Sequence, residues 1–202
     1  MRVAEVNAAE TARIGSTMHI KAEVRHRGVV NMAKRAGGGL LLATGLLLAA
    51  CAAAPTRDAS PTFIVVRHAE KASDDARDPV LSDIGERHAA ALAGQLRNEP
   101  LTAVYATPFR RTQQTARPAA EAHGLGVASY AADLPAGELA LRLRRDHPGG
   151  TVLVVGHSNT VPGIVGALCD CAVAPLDEDD YGDLYRIRQG AAGRSELVQE
   201  RF

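Results

Sequence analysis

The sequence predicts an α/β fold: a three-layer sandwich with a mostly parallel central sheet and helices on both faces. Three observations carry that expectation. Short, continuous apolar runs rich in β-branched residues recur along residues 62–202, as in strands buried on both faces. Segments with helical spacing and cap residues lie between those runs, which is the alternation of a covered parallel sheet. Histidines and arginines follow several of the apolar runs, and in such sheets ligands sit beyond the carboxyl ends of the strands.

Each element has its own signal. Residues 62–66, Thr-Phe-Ile-Val-Val, form the first strand. Ser82 is placed to cap the first helix, with Asp83 and Glu86 in its positively polarised first turn. Ala89, Leu92 and Leu96 are spaced as its buried face. Residues 103–106 make the second strand. Residues 110–123 read as a helix that Gly124 closes and Pro118 kinks. Residues 127–130 are the third strand, and 138–146 a helix stopped by His147-Pro148-Gly149-Gly150. The fourth strand spans 151–155. A helix over 160–168 follows, with Pro162 tolerated in its first turn. Residues 184–188 and 196–200 are expected as closing strands. No internal repeat is visible.

Composition narrows the function. The 202-residue chain has 23 basic and 23 acidic side chains, 46% hydrophobic and 23% charged residues, which fits a globular domain and excludes a disordered or collagen-like chain. Zero net charge argues against broad nucleic-acid binding. With no Trp, three Phe and four Tyr, a stacking platform for single strands is equally disfavoured.

The neutral total hides two regions. Residues 1–51 hold seven basic side chains (Arg2, Arg13, Lys21, Arg25, Arg27, Lys34, Arg35) and three acidic ones; residues 52–202 hold 16 and 20. Met32-Ala33-Lys34-Arg35 precedes an apolar run over 40–50 and then Leu48-Ala49-Ala50-Cys51. A basic start, a short apolar stretch and small residues at the cut describe a secretory signal. The run is shorter than the about 20 residues of a spanning helix. The Cys at the cut resembles the bacterial lipobox. Residues 32–50 are therefore expected to be a lipoprotein signal peptide, Cys51 the lipidated residue, and 51–61 a flexible tether. An uncleaved anchor is the alternative; either places the globular part outside the cytoplasm. Residues 1–31 fit neither scheme. Translation is expected to start at Met32, the alternative being a disordered leader.

The residues after the strands carry the chemistry. Arg67, His68, Ala69, Glu70 and Lys71 follow the first; Thr107, Pro108, Phe109, Arg110 and Arg111 the second; Gly156, His157, Ser158 and Asn159 the fourth. Arginine forks match phosphate oxygens. A histidine ring nitrogen can attack a phosphoryl group and split hydrolysis into two steps, while surrounding cations stabilise the group in transfer.

Phe63-Ile64-Val65-Val66-Arg67-His68-Ala69-Glu70-Lys71 resembles the signature of the histidine phosphatase superfamily, also called phosphoglycerate-mutase-like. The run from Tyr105 through Thr107-Pro108-Phe109-Arg110-Arg111 to Ala116, and Val155-Gly156-His157-Ser158-Asn159, are similar to its second and third motifs. The likeness extends over residues 62–202. It implies His68 as the nucleophile, Arg67 and Arg111 as ligands of the phosphoryl oxygens, and His157 as a second pocket histidine donating to them. Arg110 is left at the rim, because helix periodicity lets only one of two neighbours point inward. Glu70 and Lys71 either line the rim or pair with other charges. Ser158 and Asn159 lie where they reach substrate, though turn and cap chemistry explains them as well. The general acid is Asp133, directly after the third strand, or Glu138, or no side chain at all. Neither a metal nor a cofactor is expected, and the partner is a small phosphorylated substrate.

Other chemistries fit less well. Gly156-His157-Ser158-Asn159-Thr160 lacks the final Gly of an α/β-hydrolase elbow, and no His follows Ser158. His68-Ala69-Glu70 with Cys169-Asp170-Cys171 has the wrong cysteine spacing for a zinc deaminase. The two cysteines are either oxidised together or half-buried thiols, a bridge across so short a loop being strained. The run Asp177-Glu178-Asp179-Asp180 reads as a solvated loop, the alternatives being that it repels highly anionic substrates or contacts a cationic group. The expected protein is a lipid-anchored, extracytoplasmic phosphomonoesterase; mutase-type phosphoryl transfer and a non-catalytic anion-binding lipoprotein are the alternatives. The segments 71–80 and 130–137 are the obvious candidates to cover the substrate, and their shortness suggests an open site.

Overall fold

The computed structural model describes residues 60–190 and 193–202. The expected leader over 1–31, the signal over 32–50, Cys51 and nearly all of the tether lie outside the described residues. Among the described residues no helix is long and apolar enough to cross a membrane.

The elements run β1 (Thr62–Arg67), α1 (Asp83–Gln95), β2 (Leu101–Ala106), α2 (Arg110–Ala122), β3 (Val127–Ser129), α3 (Ala136–Asp146), β4 (Thr151–Gly156), α4 (Val161–Cys169), β5 (Asp183–Gln189) and β6 (Ser195–Arg201). They build one six-stranded sheet in the order β3-β2-β4-β1-β5-β6. The pairs β1–β4, β2–β4 and β2–β3 are parallel, and β5 and β6 add antiparallel pairs at one side. The sheet is thus mostly parallel, as expected.

Alternate side chains of the central strands feed two cores. Ile64, Val66, Leu153 and Val155 pack with Leu92 and Leu96 of the α1 segment and Ala116, Ala119 and Ala120 of α2. Phe63, Val65, Val152 and Val154 pack with Leu139 and Leu143 of α3 and Ile164, Val165 and Leu168 of α4. Burial on both faces is why β1 and β4 read as unbroken apolar runs. It also completes the three layers.

The local signals work as physics requires. The Ser82 side chain accepts from Gly85 N, which caps α1. A side chain at Gly85 would collide with the Glu70 carbonyl, so α1 lies directly on the segment that follows β1. α2 runs on through Pro118, and Gly124 takes φ +66° just after it. Edge strand β6 is largely exposed and carries Arg188–Glu196 and Arg186–Glu200 pairs across to β5, charges that discourage further strand pairing. Cys169 and Cys171 form a disulfide with Cα atoms 5.2 Å apart, which resolves the open question about the two thiols.

β1 leads to α1 on one face, whereas its neighbour β4 leads to α4 on the other. A crevice at the carboxyl ends of such a strand pair is the expected ligand position of an open α/β sheet.

Candidate active site

A cavity of about 490 Å³ opens at that crevice, lined by Arg67, His68, Lys71, Phe109, Arg111, Ala132, His157, Ser158, Asn159, Thr160 and Glu178. Of the residues singled out in the sequence, Arg67, His68, Arg111, His157, Ser158 and Asn159 line it, as does Lys71 at the rim.

His68 is 4% exposed at the end of β1. Its Nδ1 lies 2.8 Å from the Ala69 carbonyl oxygen. A carbonyl only accepts, so Nδ1 holds the proton and the neutral ring keeps its lone pair on Nε2. Burial, then the nearby His157, Arg111 and Arg67, pull its pKa down to about 3, against the opposing effect of the Ala69 carbonyl. The ring is therefore held neutral at physiological pH, with the Nε2 lone pair unprotonated. Its backbone is fixed as well: His68 N donates to Gly156 O at 2.9 Å, and Ala69 N donates to Thr115 Oγ1 at 3.0 Å.

His157 meets the His68 ring edge-on, with centroids 5.3 Å apart. A chain of hydroxyls sets its tautomer. Thr112 Oγ1 donates to the Phe109 or Thr107 carbonyl, at 2.8 and 2.9 Å. It therefore accepts from Thr107 Oγ1, 2.8 Å away, and Thr107 Oγ1 is left to accept from His157 Nε2–H at 2.9 Å. The lone pair of neutral His157 then sits on Nδ1, where Arg111 Nη2 donates at 3.4 Å. Burial, followed by Arg111 and Arg67, lowers the His157 pKa to about 4. An incoming anion reverses that electrostatic balance and favours the doubly protonated ring, which then has a second donor to offer.

Arg111 enters from the first turn of α2. It stacks on the Phe109 ring with Cζ 4.5 Å from the centroid and lies 3.8 Å from Asp78 Oδ1. The same Asp78 oxygen accepts from Arg110 N at 2.8 Å. One carboxylate therefore caps the helix and steers the arginine. Arg110 points outward to Asp74 at 3.3 Å, as periodicity required.

Arg67 departs from the simple picture of a phosphate ligand. Its Nη1 donates to the Asp177 and Asp180 carbonyls at 2.8 and 2.9 Å, and Nη2 to the Glu178 carbonyl at 2.8 Å. Tyr181 covers its guanidinium, 4.0 Å from the ring centroid. The residue is 2% exposed, and its Nε donor is buried with no partner among the described residues, a costly arrangement for an N–H.

Three sequence-derived site residues are not among those lining the cavity. Asp133 is exposed, and its neighbour Ala132 takes the wall position. The alternative acid Glu138 is exposed on α3. Glu70 turns toward α1, with Oε1 2.9 Å from His88 Nδ1, so it follows the pairing alternative. The carboxylate present in the lining is Glu178, from the acidic run read as a solvated loop. Sequence reasoning also passed over Thr107 as the partner of His157; its place inside the second motif was the available signal.

Residues 63–132 match the sequence profile of the histidine phosphatase superfamily (branch 1). The fold is similar to that of the protein histidine phosphatase SixA complexed with tungstate, with a TM-score of 0.60 and 20% identity over 69% of this chain and 96% of that one. It is also similar to a mycobacterial glucosyl-3-phosphoglycerate phosphatase (TM-score 0.55, 16% identity, 67% and 96% of the two chains). A third likeness is to a variant phosphoserine phosphatase from Entamoeba histolytica in complex with phosphoserine (0.53, 14%, 68% and 95%). At these identities the structural likeness is one of fold. No curated protein matches the chain in sequence.

Proposed function

We propose that this member of the histidine phosphatase superfamily hydrolyses small phosphomonoesters through a phosphohistidine on Nε2 of His68. The observation that carries this reading is the His68 ring itself: buried, neutral, with Nδ1 committed to a carbonyl and Nε2 left as the nitrogen free to react in a cavity rich in donors.

In the first step the Nε2 lone pair attacks phosphorus and a P–N bond forms. The ester P–O bond breaks, its electron pair leaves with the alcohol oxygen, and that oxygen takes a proton from solvent, which the water attacking in the second step gives back. In the second step water attacks the phosphohistidine, the P–N bond breaks, and the lone pair returns to Nε2. The net reaction consumes one water and releases an alcohol and phosphate. Arg111, Arg67 and His157, which line the cavity, stabilise the charge on the transferring oxygens, which is where fixed donors accelerate phosphoryl transfer most. Asp133 and Glu138 do not line the cavity, so esters of good leaving groups, which need little proton donation, are the best substrates.

The test is hydrolysis of an aryl phosphate by wild type and His68→Ala. Loss of turnover of at least about a thousandfold is expected when the nucleophile is removed; retained turnover would overturn the mechanism.

The address of the enzyme is a separate part of the proposal. Cys51 is the lipidated residue after signal removal, and the domain works on the extracytoplasmic side of a membrane. The lipobox-like sequence supports this, as does the Cys169–Cys171 bridge, since disulfides persist in oxidising compartments. Mass spectrometry of the mature N-terminus tests it: an acylated Cys51 is expected, and an intact Met1 or Met32 would contradict it.

A further inference from the structure

The acidic run at 177–180 is built into the cavity instead of floating beside it. Three of its four carbonyls accept from the Arg67 guanidinium, at 2.8, 2.8 and 2.9 Å, and Arg67 is 2% exposed. The loop also closes on itself, with Asp177 N donating to Asp180 Oδ2 at 2.6 Å and Asp180 N to Asp177 O at 3.2 Å. Tyr181 then packs on the same guanidinium at 4.0 Å. A run of four acids held at its backbone by the base of a phosphate cavity has a fixed position relative to the substrate.

Of those four side chains, only Glu178 lines the cavity. It is 74% exposed, so it stands at the mouth. Its Oε2 lies 3.6 Å from both Arg67 Nη2 and Lys71 Nζ, and its Oε1 accepts from Ser158 Oγ at 3.4 Å. The Nε of Arg67 is buried and unpartnered among the described residues. The cavity therefore has two electrostatic levels. Donors that suit a phosphoryl group lie within. A carboxylate lies at the mouth, 3.6 Å from the cationic ends of both Arg67 and Lys71.

We infer that Glu178 selects the alcohol half of the substrate by charge: the site takes phosphomonoesters whose alcohol carries an ammonium group and disfavours those whose alcohol carries a second anion. This rests on the reading of the cavity as a phosphoryl site. An ammonium on the alcohol side replaces Lys71 as the partner of Glu178, whereas a carboxylate there meets the Glu178 carboxylate.

Three probes of nearly equal size separate the charges: 2-aminoethyl phosphate, 2-hydroxyethyl phosphate and phosphoglycolate. Their dissociation constants are measured on the full chain, wild type and Glu178→Gln, at low salt. A unit charge about 4 Å from a water-exposed carboxylate changes affinity about fivefold. Wild type should bind the amino ester about fivefold tighter than the hydroxy ester, and phosphoglycolate about fivefold weaker. Glu178→Gln should shrink both ratios to about twofold or less. Raising the salt should compress the wild-type ratios too. Glutamine keeps an acceptor for Ser158 and leaves the loop carbonyls on Arg67, so the variant retains the wall without its charge. Equal ratios in the two proteins, or tighter binding of phosphoglycolate by wild type, would overturn the inference while leaving the phosphatase reading intact. Failure of all three probes to bind wild type would overturn both.

Discussion

Acidification from pH 7.5 to pH 5 is expected to destabilise this domain through its two pocket histidines. In the unfolded chain both imidazoles titrate near 6.5. In the fold His68 is held at about 3 and His157 at about 4, mainly by burial and then by neighbouring cationic and ring groups. Below pH 6.5 the unfolded chain binds protons that the folded chain refuses, so stability falls as the pH drops toward those folded values and is fully present above 6.5. At pH 5 each refused proton has cost about 1.5 pH units, or about 2 kcal/mol. With some allowance for solvent reaching the open cavity, the pair contributes about 3 kcal/mol, a large part of the stability of an ordinary domain. Urea unfolding at the two pH values measures this in wild type, His68→Gln and His157→Gln. The carboxylates titrate alike in all three and cancel. Each variant should lose about 1–2 kcal/mol less than wild type between pH 7.5 and pH 5. Equal losses in all three would refute the claim that the two rings are held neutral. Added inorganic phosphate should protect wild type more at pH 5 than at pH 7.5, because a bound anion favours the protonated His157 ring.

Two further outcomes follow from contacts around the site. Thr107→Val removes the acceptor of His157 Nε2–H and leaves a buried donor unpaired; a loss of about 1–3 kcal/mol in stability and at least about a tenfold fall in kcat/KM are expected, read by urea unfolding and steady-state kinetics. Asp78→Ala removes both the α2 cap and the partner of Arg111; it should cost about 1 kcal/mol in stability and raise KM for aryl phosphate more than it lowers kcat, and an unchanged KM would contradict the steering role.

Local signals were legible where chemistry and chain position coincide. Ser82, Ala89, Leu92 and Leu96 announced α1 because a cap and a buried face are encoded within 15 residues. β1 and β4 were readable because a strand covered on both sides must be apolar throughout. Boundaries drifted where the sequence is ambiguous: β2 begins at Leu101, two residues early, through an irregular register with β4 between Leu101 and Ala103. α3 begins at Ala136, ahead of the first acidic residue.

The motif residues after β1, β2 and β4 could be placed at one rim because parallel strands deliver their carboxyl ends together. The order of side chains within irregular segments could not. After β3, Ala132 faces the cavity and Asp133 does not, a choice made by a few backbone torsions that no periodicity records. Glu70 was pulled away by His88 of α1. Arg67 and Glu178 were the least legible, since their contacts span 111 residues. An acidic run looks the same in sequence whether solvent or a buried guanidinium holds its backbone.

The most direct test of the account is to trap the covalent intermediate. Wild-type protein is mixed with an aryl phosphate labelled in its phosphoryl group, quenched in denaturant within milliseconds, kept alkaline to preserve phosphohistidine, and mapped by peptide mass spectrometry. Phosphate is expected on the peptide containing His68, with none in His68→Ala. Labelling on another residue, or turnover with no phosphoenzyme at any time, would contradict it.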